Sequence, residues 1–231
     1  MSELRVGIIG VGKMGQNVAS ILNGKVGTLL LSEVNQMRLD SVVSKLRQSA
    51  TQSVIETIRV APREPKSLCA LLEQSHLSVC TTSNVGKVLT DDSLPEKFVV
   101  IDDSRPEAFY RSDPSGGRIV LEGGLMKLRG VRINYDFGFG IGEDIFGCLA
   151  EGYLLASDAE GVLKPSIGNV DLDNFWKMIQ FCDQEQVEVG DFRAGAFLVG
   201  DTVIADVIRN RHLEITSARP PCGIPAWRSI P

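Results

Sequence analysis

The sequence predicts an α/β fold built on a doubly wound parallel sheet and followed by C-terminal helices. Three observations carry this. Short apolar runs without helical periodicity alternate with amphipathic stretches at the spacing of successive βαβ units. The first run opens directly into "GVGKMG", a glycine pattern set between a strand and a helix. The strand pattern stops near residue 124, and two longer helical periodicities follow it. Strands alternating with helices place helices on both faces of a parallel sheet, the Rossmann-type arrangement.

Taken in order, "RVGIIG" (5–10) is an apolar run bounded by glycine and reads as a strand buried on both faces. A helix is expected from about Met14 to Leu22. "TLLLSEV" (28–34) reads as the second strand, "NQMRLDSVVSKLRQ" (35–48) as an amphipathic helix and "IRVA" (58–61) as the third strand. A short helix over 67–74 leads to a fourth strand at 77–83, with a fifth at 97–104 and a sixth at 117–124. After residue 124 the pattern changes to loop, "MKLRGVRINYDFGFGIG" (to residue 142), and helices are expected over 144–158 and 171–189. The apolar positions Phe197, Leu198, Val203, Ile204, Val207 and Ile208 suggest a further helix, serving as core, site cap or oligomer interface. The Pro-rich tail reads as irregular. The domain reading is a dinucleotide-binding unit at 1–142 and a C-terminal helical segment at 143–231.

Composition sets limits on partners and chemistry. A chain of 231 residues with 43% hydrophobic and 23% charged residues is long enough to bury a substantial core. Its net charge of −5 argues against nucleic acid, which needs clustered excess Lys and Arg. No apolar run approaches a membrane span, and the N-terminus runs straight into the glycine motif instead of a signal sequence, so a cytoplasmic protein is expected. Five cysteines, Cys69, Cys80, Cys148, Cys182 and Cys222, form no CxxC pair, and no metal site is expected. With only His76 and His212, acid–base work falls to carboxylates, Lys, Tyr, Cys or water.

Gly10, Gly12 and Gly15 stand in G-x-G-x-x-G spacing. The first permits the tight turn, the second admits a pyrophosphate against the backbone, and the third lets helix and strand pack closely. Glu33 ends the second strand, where an acidic side chain would accept from ribose hydroxyls, favouring NAD(H) over NADP(H). Arg38, five residues on, could instead reach a 2′-phosphate, and Glu33 could equally be a solvated strand end. Thr81, Thr82, Ser83 and Asn84 follow the fourth strand and either face the nicotinamide half of the cofactor or cap a helix. Asp102, Asp103 and Arg105 after the fifth strand either hold substrate or start a turn.

The order of "LLLSEVNQMRLD", "VCTTS", "VVIDDSRPEAF", "IVLEGG", "NYDFGF" and "FGCLAEGYLLASDAEG" resembles the catalytic part of the cyanobacterial long-chain acyl-(acyl carrier protein) reductases. These form fatty aldehydes from acyl thioesters. The resemblance implies that Cys148, at the cysteine of the "FGCLAE" motif, is the nucleophile, and that Gly10, Gly12 and Gly15 hold a nicotinamide cofactor. It also matches Asp136 to an acidic position. The family's larger members carry an N-terminal region ahead of the glycine motif, which begins here at residue 10, and Val34 stands where the family has an arginine suited to NADPH.

The expected chemistry is covalent. A thiolate takes the acyl group from acyl-coenzyme A or an acyl-carrier protein, and hydride transfer then releases an aldehyde. A helix N-terminus would favour that thiolate. Two other readings stay open. One is a non-covalent NAD(P)-dependent dehydrogenase or imine reductase using Lys127, Tyr135 or Asp136 for protons; the other is a catalytically silent nicotinamide-binding protein. A homodimer is expected, because a two-helix segment after a sheet exposes an apolar face.

Overall fold

The computed structural model describes residues 3–49, 53–59, 65–83, 94–111, 113–138, 140–167 and 171–217. Asn84, Cys222 and the Pro-rich tail lie outside the described residues.

Six parallel strands form the main sheet: β1 (Arg5–Ile9), β2 (Thr28–Glu33), β3 (Val54–Arg59), β4 (Leu77–Cys80), β5 (Phe98–Asp102) and β6 (Arg118–Glu122). Their order is β3-β2-β1-β4-β5-β6, so the chain reverses its direction of travel between β1 and β4. The flanking helices are α1 (Lys13–Leu22), α2 (Gln36–Arg47) and α3 (Pro65–Gln74). This is the Rossmann-type α/β fold that the alternating pattern predicts.

Alternation along each strand sorts the core into two faces. Val6, Ile8, Leu29 and Leu31 meet Leu39, Val42 and Leu46 on the side of α1 and α2. Ile9, Cys80, Phe98 and Val100 meet Leu68, Leu71 and Leu72 of α3 on the other. All of β2 is buried, as its continuous apolar run requires of a strand covered on both faces. Asn35 caps α2 by accepting from Arg38 N at 3.1 Å.

Beyond β6 the chain builds a second layer. β7 (Leu125–Leu128) pairs antiparallel with β8 (Asp144–Phe146) and with β9 (Val187–Val189), and α4 (Gly147–Ser157) and α5 (Leu172–Gln184) pack on them. Leu128, Ile145, Ala150, Leu154, Met178, Cys182 and Val187 form its core. A two-residue hairpin, β10 (Arg193–Ala194) with β11 (Phe197–Leu198), leads to α6 (Asp201–Ser217). Ile204, Val207 and Ile208 of α6 return to the main sheet and close over Leu77, Val99, Ile101, Ile119 and Leu121.

Five expectations are corrected. The third strand starts at Val54 instead of residue 58, because as the sheet's outer strand it mixes Glu56 and Arg59 with its apolar residues and lacks a continuous apolar run. Residues 144–146 are strand, since pairing of Phe146 with Leu125 overrides local helical periodicity, and the helix begins at Gly147. The next helix ends at Gln184; Gln186 takes a positive φ of 55° and turns the chain into β9. Residues 125–128, expected as loop, are the central strand of that small sheet. Phe197 and Leu198 lie in the hairpin, while the remaining apolar positions of that stretch lie on α6. No helix among the described residues is long and apolar enough to cross a membrane.

Candidate functional site

Because the main strands are parallel, everything that follows β1, β4, β5 and β6 gathers at one carboxyl edge of the sheet. The reversal between β1 and β4 opens a crevice there, the usual ligand position of such sheets.

The glycine loop forms one wall. Gly10 has φ of +83° and donates its N–H to Ser32 O at 2.9 Å, and a Cβ added to it would lie 3.2 Å from Thr82 Cα. At Gly15 a Cβ would lie 2.0 Å from Gly10 O, so the helix approaches the loop more closely than any side chain allows. Gly12 differs. Among the described residues no atom lies within 4 Å of its added Cβ, and no side chain caps α1. A helix N-terminus with uncapped N–H groups and open space over the glycine preceding it fits a pyrophosphate. The residues present therefore fit a dinucleotide.

Glu33 is buried beneath this loop instead of projecting into solvent. Its Oε2 accepts from Val11 N at 3.1 Å, its Oε1 accepts from Asn35 N at 3.1 Å, and Arg38 Nη1 lies 3.4 Å from Oε2. The carboxylate thus ties the end of β2 to the glycine loop, a role the sequence reading did not include. Thr81 ties the same loop from the other side, its Oγ1 donating to Gly10 O at 2.8 Å. Thr82 is half-buried and Ser83 exposed at the mouth of the crevice.

After β5 the two aspartates separate in role. Asp102 is fully buried: Oδ1 accepts from the backbone and hydroxyl of Ser104, and Oδ2 accepts from Ala108 N at 3.0 Å and Phe109 N at 3.1 Å. It organises the 103–109 segment. Asp103 is half-buried against the Gly123–Gly124 turn that follows β6: added Cβ atoms on those glycines would lie 2.6 Å from Asp103 Cβ and 3.0 Å from Asp103 Oδ1. Burial pushes the Asp103 carboxyl above the ordinary carboxylate value; Arg105 opposes this and Asp102 adds to it.

That same turn anchors α4. Gly147 N donates to Gly124 O at 2.6 Å, fixing the first residue of the helix to the end of β6. Cys148 is therefore an exposed second residue of α4 at the carboxyl edge of the sheet. The Phe146 ring precedes it, with the Arg105 guanidinium 5.2 Å from the ring centroid and Phe137 stacked edge-on at 5.7 Å. Arg105 also pairs with Glu122 at the end of β6. Of the other described cysteines, Cys80 and Cys182 are buried and Cys69 is half-buried. Burial pushes the Cys80 thiol up to about 12, and burial also raises Cys69 and Cys182.

Asp136 reaches the site through its loop. Its Oδ1 accepts from Gly138 N at 2.7 Å and Gly140 N at 2.9 Å, which shapes the segment carrying Phe137 toward Phe146. Lys127 is paired with Asp191 at 2.8 Å and lies 3.9 Å from Asp144. Tyr135 is exposed and stacks on Phe137. The two histidines sit at the opposite, amino edge, where β1 and β4 begin, with ring centroids 5.1 Å apart.

No protein-family profile matches the chain, and no curated protein matches it. Among solved structures, the nucleotide-binding domain of glutamyl-tRNA reductase from Thermoplasma volcanium is similar over 51% of this chain and 74% of that one. The identity is 14% and the TM-score 0.39, a likeness too distant to bear on function.

Proposed function

We propose that the protein is a nicotinamide-dinucleotide-dependent reductase that takes an acyl group from a thioester onto Cys148 and releases it as an aldehyde. The observation that carries this reading is the 2.6 Å bond from Gly147 N to Gly124 O, which sets an exposed cysteine at the same sheet edge as the glycine loop. Two strand spacings, roughly 10 Å, separate β4 from β6 along that edge.

A reduced nicotinamide supplies hydride when bound. The chain's residues do the rest. Gly12 and the first turn of α1 would hold the pyrophosphate, with Gly10 and Gly15 shaping the turn. Glu33 would accept from the adenosine ribose with the lone pair of Oε1 that Asn35 leaves over, Oε2 being taken by Val11 and Arg38, favouring NAD(H) over NADP(H). Thr82 and Ser83 would line the nicotinamide side. Cys148 attacks the thioester carbonyl, and its place in the first turn of α4 gives an anionic sulfur the partial positive charge of a helix N-terminus. The acyl donor is acyl-coenzyme A or an acyl-carrier protein, and the working unit is a homodimer.

Intact-mass spectrometry tests this. The protein is mixed with a panel of acyl-coenzyme A thioesters in the absence of reduced cofactor, beside Cys148→Ala. An acyl-sized adduct on the wild type alone, discharged to aldehyde by NADH faster than by NADPH, is the expected result. Aldehyde formation by Cys148→Ala at the wild-type rate would overturn the covalent reading.

A further inference from the structure

We infer that Asp103 is the proton donor to the acyl oxygen during reduction of the Cys148 thioester; this rests on the covalent reading above. Three features of the structure converge on it. First, the two aspartates part ways: Asp102 is taken up by Ser104, Ala108 and Phe109, whereas the Asp103 carboxyl lies against the turn after β6, with Arg105 and Asp102 as the charges acting on it. Second, the turn after β6 is shaped around it. A Cβ at Gly123 would lie 2.6–2.8 Å from the Cβ, Cα and N of Asp103, and one at Gly124 would lie 3.0 Å from its Oδ1, so the first glycine admits the Asp103 backbone and the second its carboxyl. Third, the carbonyl of Gly124 receives the N–H of Gly147, the residue before Cys148. One turn of chain therefore carries the carboxyl on one side and the nucleophile's helix on the other.

The chemistry needs such a group. In the first half-reaction the Cys148 Sγ–C bond forms, the carrier's C–S bond breaks, and the carrier thiolate takes a proton from solvent. In the second, hydride from the reduced nicotinamide dinucleotide forms a C–H bond at the acyl carbon, and the nicotinamide is oxidised by two electrons. The carbonyl oxygen then gains electron density, and Asp103 gives it a proton. As the Sγ–C bond breaks, Cys148 leaves as thiolate, the hydroxyl proton returns to Asp103, and the C=O of the aldehyde forms. Burial raises the Asp103 carboxyl above its ordinary value, the direction in which general acids are tuned.

The test acylates the full chain at Cys148 with a carbonyl-labelled acyl-coenzyme A and reads the thioester carbonyl by infrared spectroscopy without reduced cofactor. Wild type should show a band shifted to lower frequency than the free thioester, and Asp103→Ala should lose the shift. On adding reduced cofactor, Asp103→Ala and the near-isosteric Asp103→Asn should discharge at least ~100-fold more slowly, and formate should restore part of the rate in Asp103→Ala. An unshifted wild-type band, or discharge by both variants within a few fold of wild type, overturns the proposal. So does failure of Asp103→Asn to acylate where wild type does, since Asp103 would then be shaping α4. A wild type that never acylates overturns the covalent reading instead, and this inference falls with it.

Discussion

Gly12 and Gly15 belong to one motif and do different work. Gly15 is a packing glycine: its missing Cβ lets α1 approach Gly10 O, so Gly15→Ala should destabilise the fold by about 1–3 kcal/mol, as overpacking does. Gly12 has open space around it and an ordinary φ of −66°, so Gly12→Ala should leave stability within about 0.5 kcal/mol of wild type. It should nevertheless weaken dinucleotide binding at least tenfold. Calorimetric titration beside thermal melting separates the two, and unchanged dinucleotide binding in a stably folded Gly12→Ala would show that Gly12 faces no ligand. Cysteine reactivity is a second test at this scale. Limited alkylation should label Cys148 before Cys80 or Cys182, because only Cys148 is exposed among them and burial raises both other thiols. Peptide mapping reads the order. The three glycines were legible in the sequence because their spacing records a backbone requirement. The tie from Glu33 to Val11 was not, since a carboxylate turned inward and one turned outward are written with the same letter.

Helix α6 shows how an element is held at both ends of its face. Its apolar residues close one face of the sheet, and Arg211, itself buried, donates to the carbonyls of Leu72 and Glu73 at the end of α3. A guanidinium there satisfies carbonyls that a helix end leaves without partners. Arg211→Met should lower stability by about 1–3 kcal/mol by removing the donor to the Glu73 carbonyl, while Leu72 O keeps Ser75 as a donor, measured by urea unfolding. Next to it, His76 is 2% exposed and accepts from Arg5 N through Nδ1. Burial first, then His212, Arg5 and Arg211, lower its pKa from 6.5 to about 4. A base whose folded pKa lies below its unfolded one takes up its proton first in the unfolded chain. Its contribution is therefore full above pH 6.5 and is lost as pH falls toward 4, by up to about 3 kcal/mol. His76→Asn keeps an acceptor for Arg5 N and cannot titrate, so its stability should fall less steeply than wild type between pH 6.5 and 4; parallel curves would refute the assignment. The sequence showed the six main strands and most helices because their periodicity is local. It missed β7, β8 and β9, three or four residues each, because pairing with distant segments makes those strands, and that information is not in their own periodicity.

At the scale of the molecule, the candidate site is assembled from segments that lie far apart in the chain but end at one sheet edge. Topology puts them there: the crossovers of a parallel sheet return every strand end to the same side. That is why the residue types of the site were readable while their arrangement was not. The glycine loop, Asp103 and Cys148 are separated by many tens of residues, and the Gly123–Gly124 turn that joins the last two carried no signal of its own. The same connectivity leaves apolar surface uncovered where the second layer meets α6. Val189, Phe192, Leu198 and Val199, together with Asp191 and Asp201, line a cavity of about 590 Å³, and Val189 and Leu198 are 72% and 63% exposed. A cluster of that kind on a monomer would be held in water at a continuing free-energy cost, and the symmetric covering available to any chain is a second copy of itself. Light scattering should therefore give twice the 25.1 kDa chain mass. Leu198→Lys, which puts a charge on an exposed residue without touching the core, should return a folded monomer. If wild type is already monomeric, the exposed cluster does not serve self-association, and the homodimer falls while the chemistry at Cys148 is unaffected.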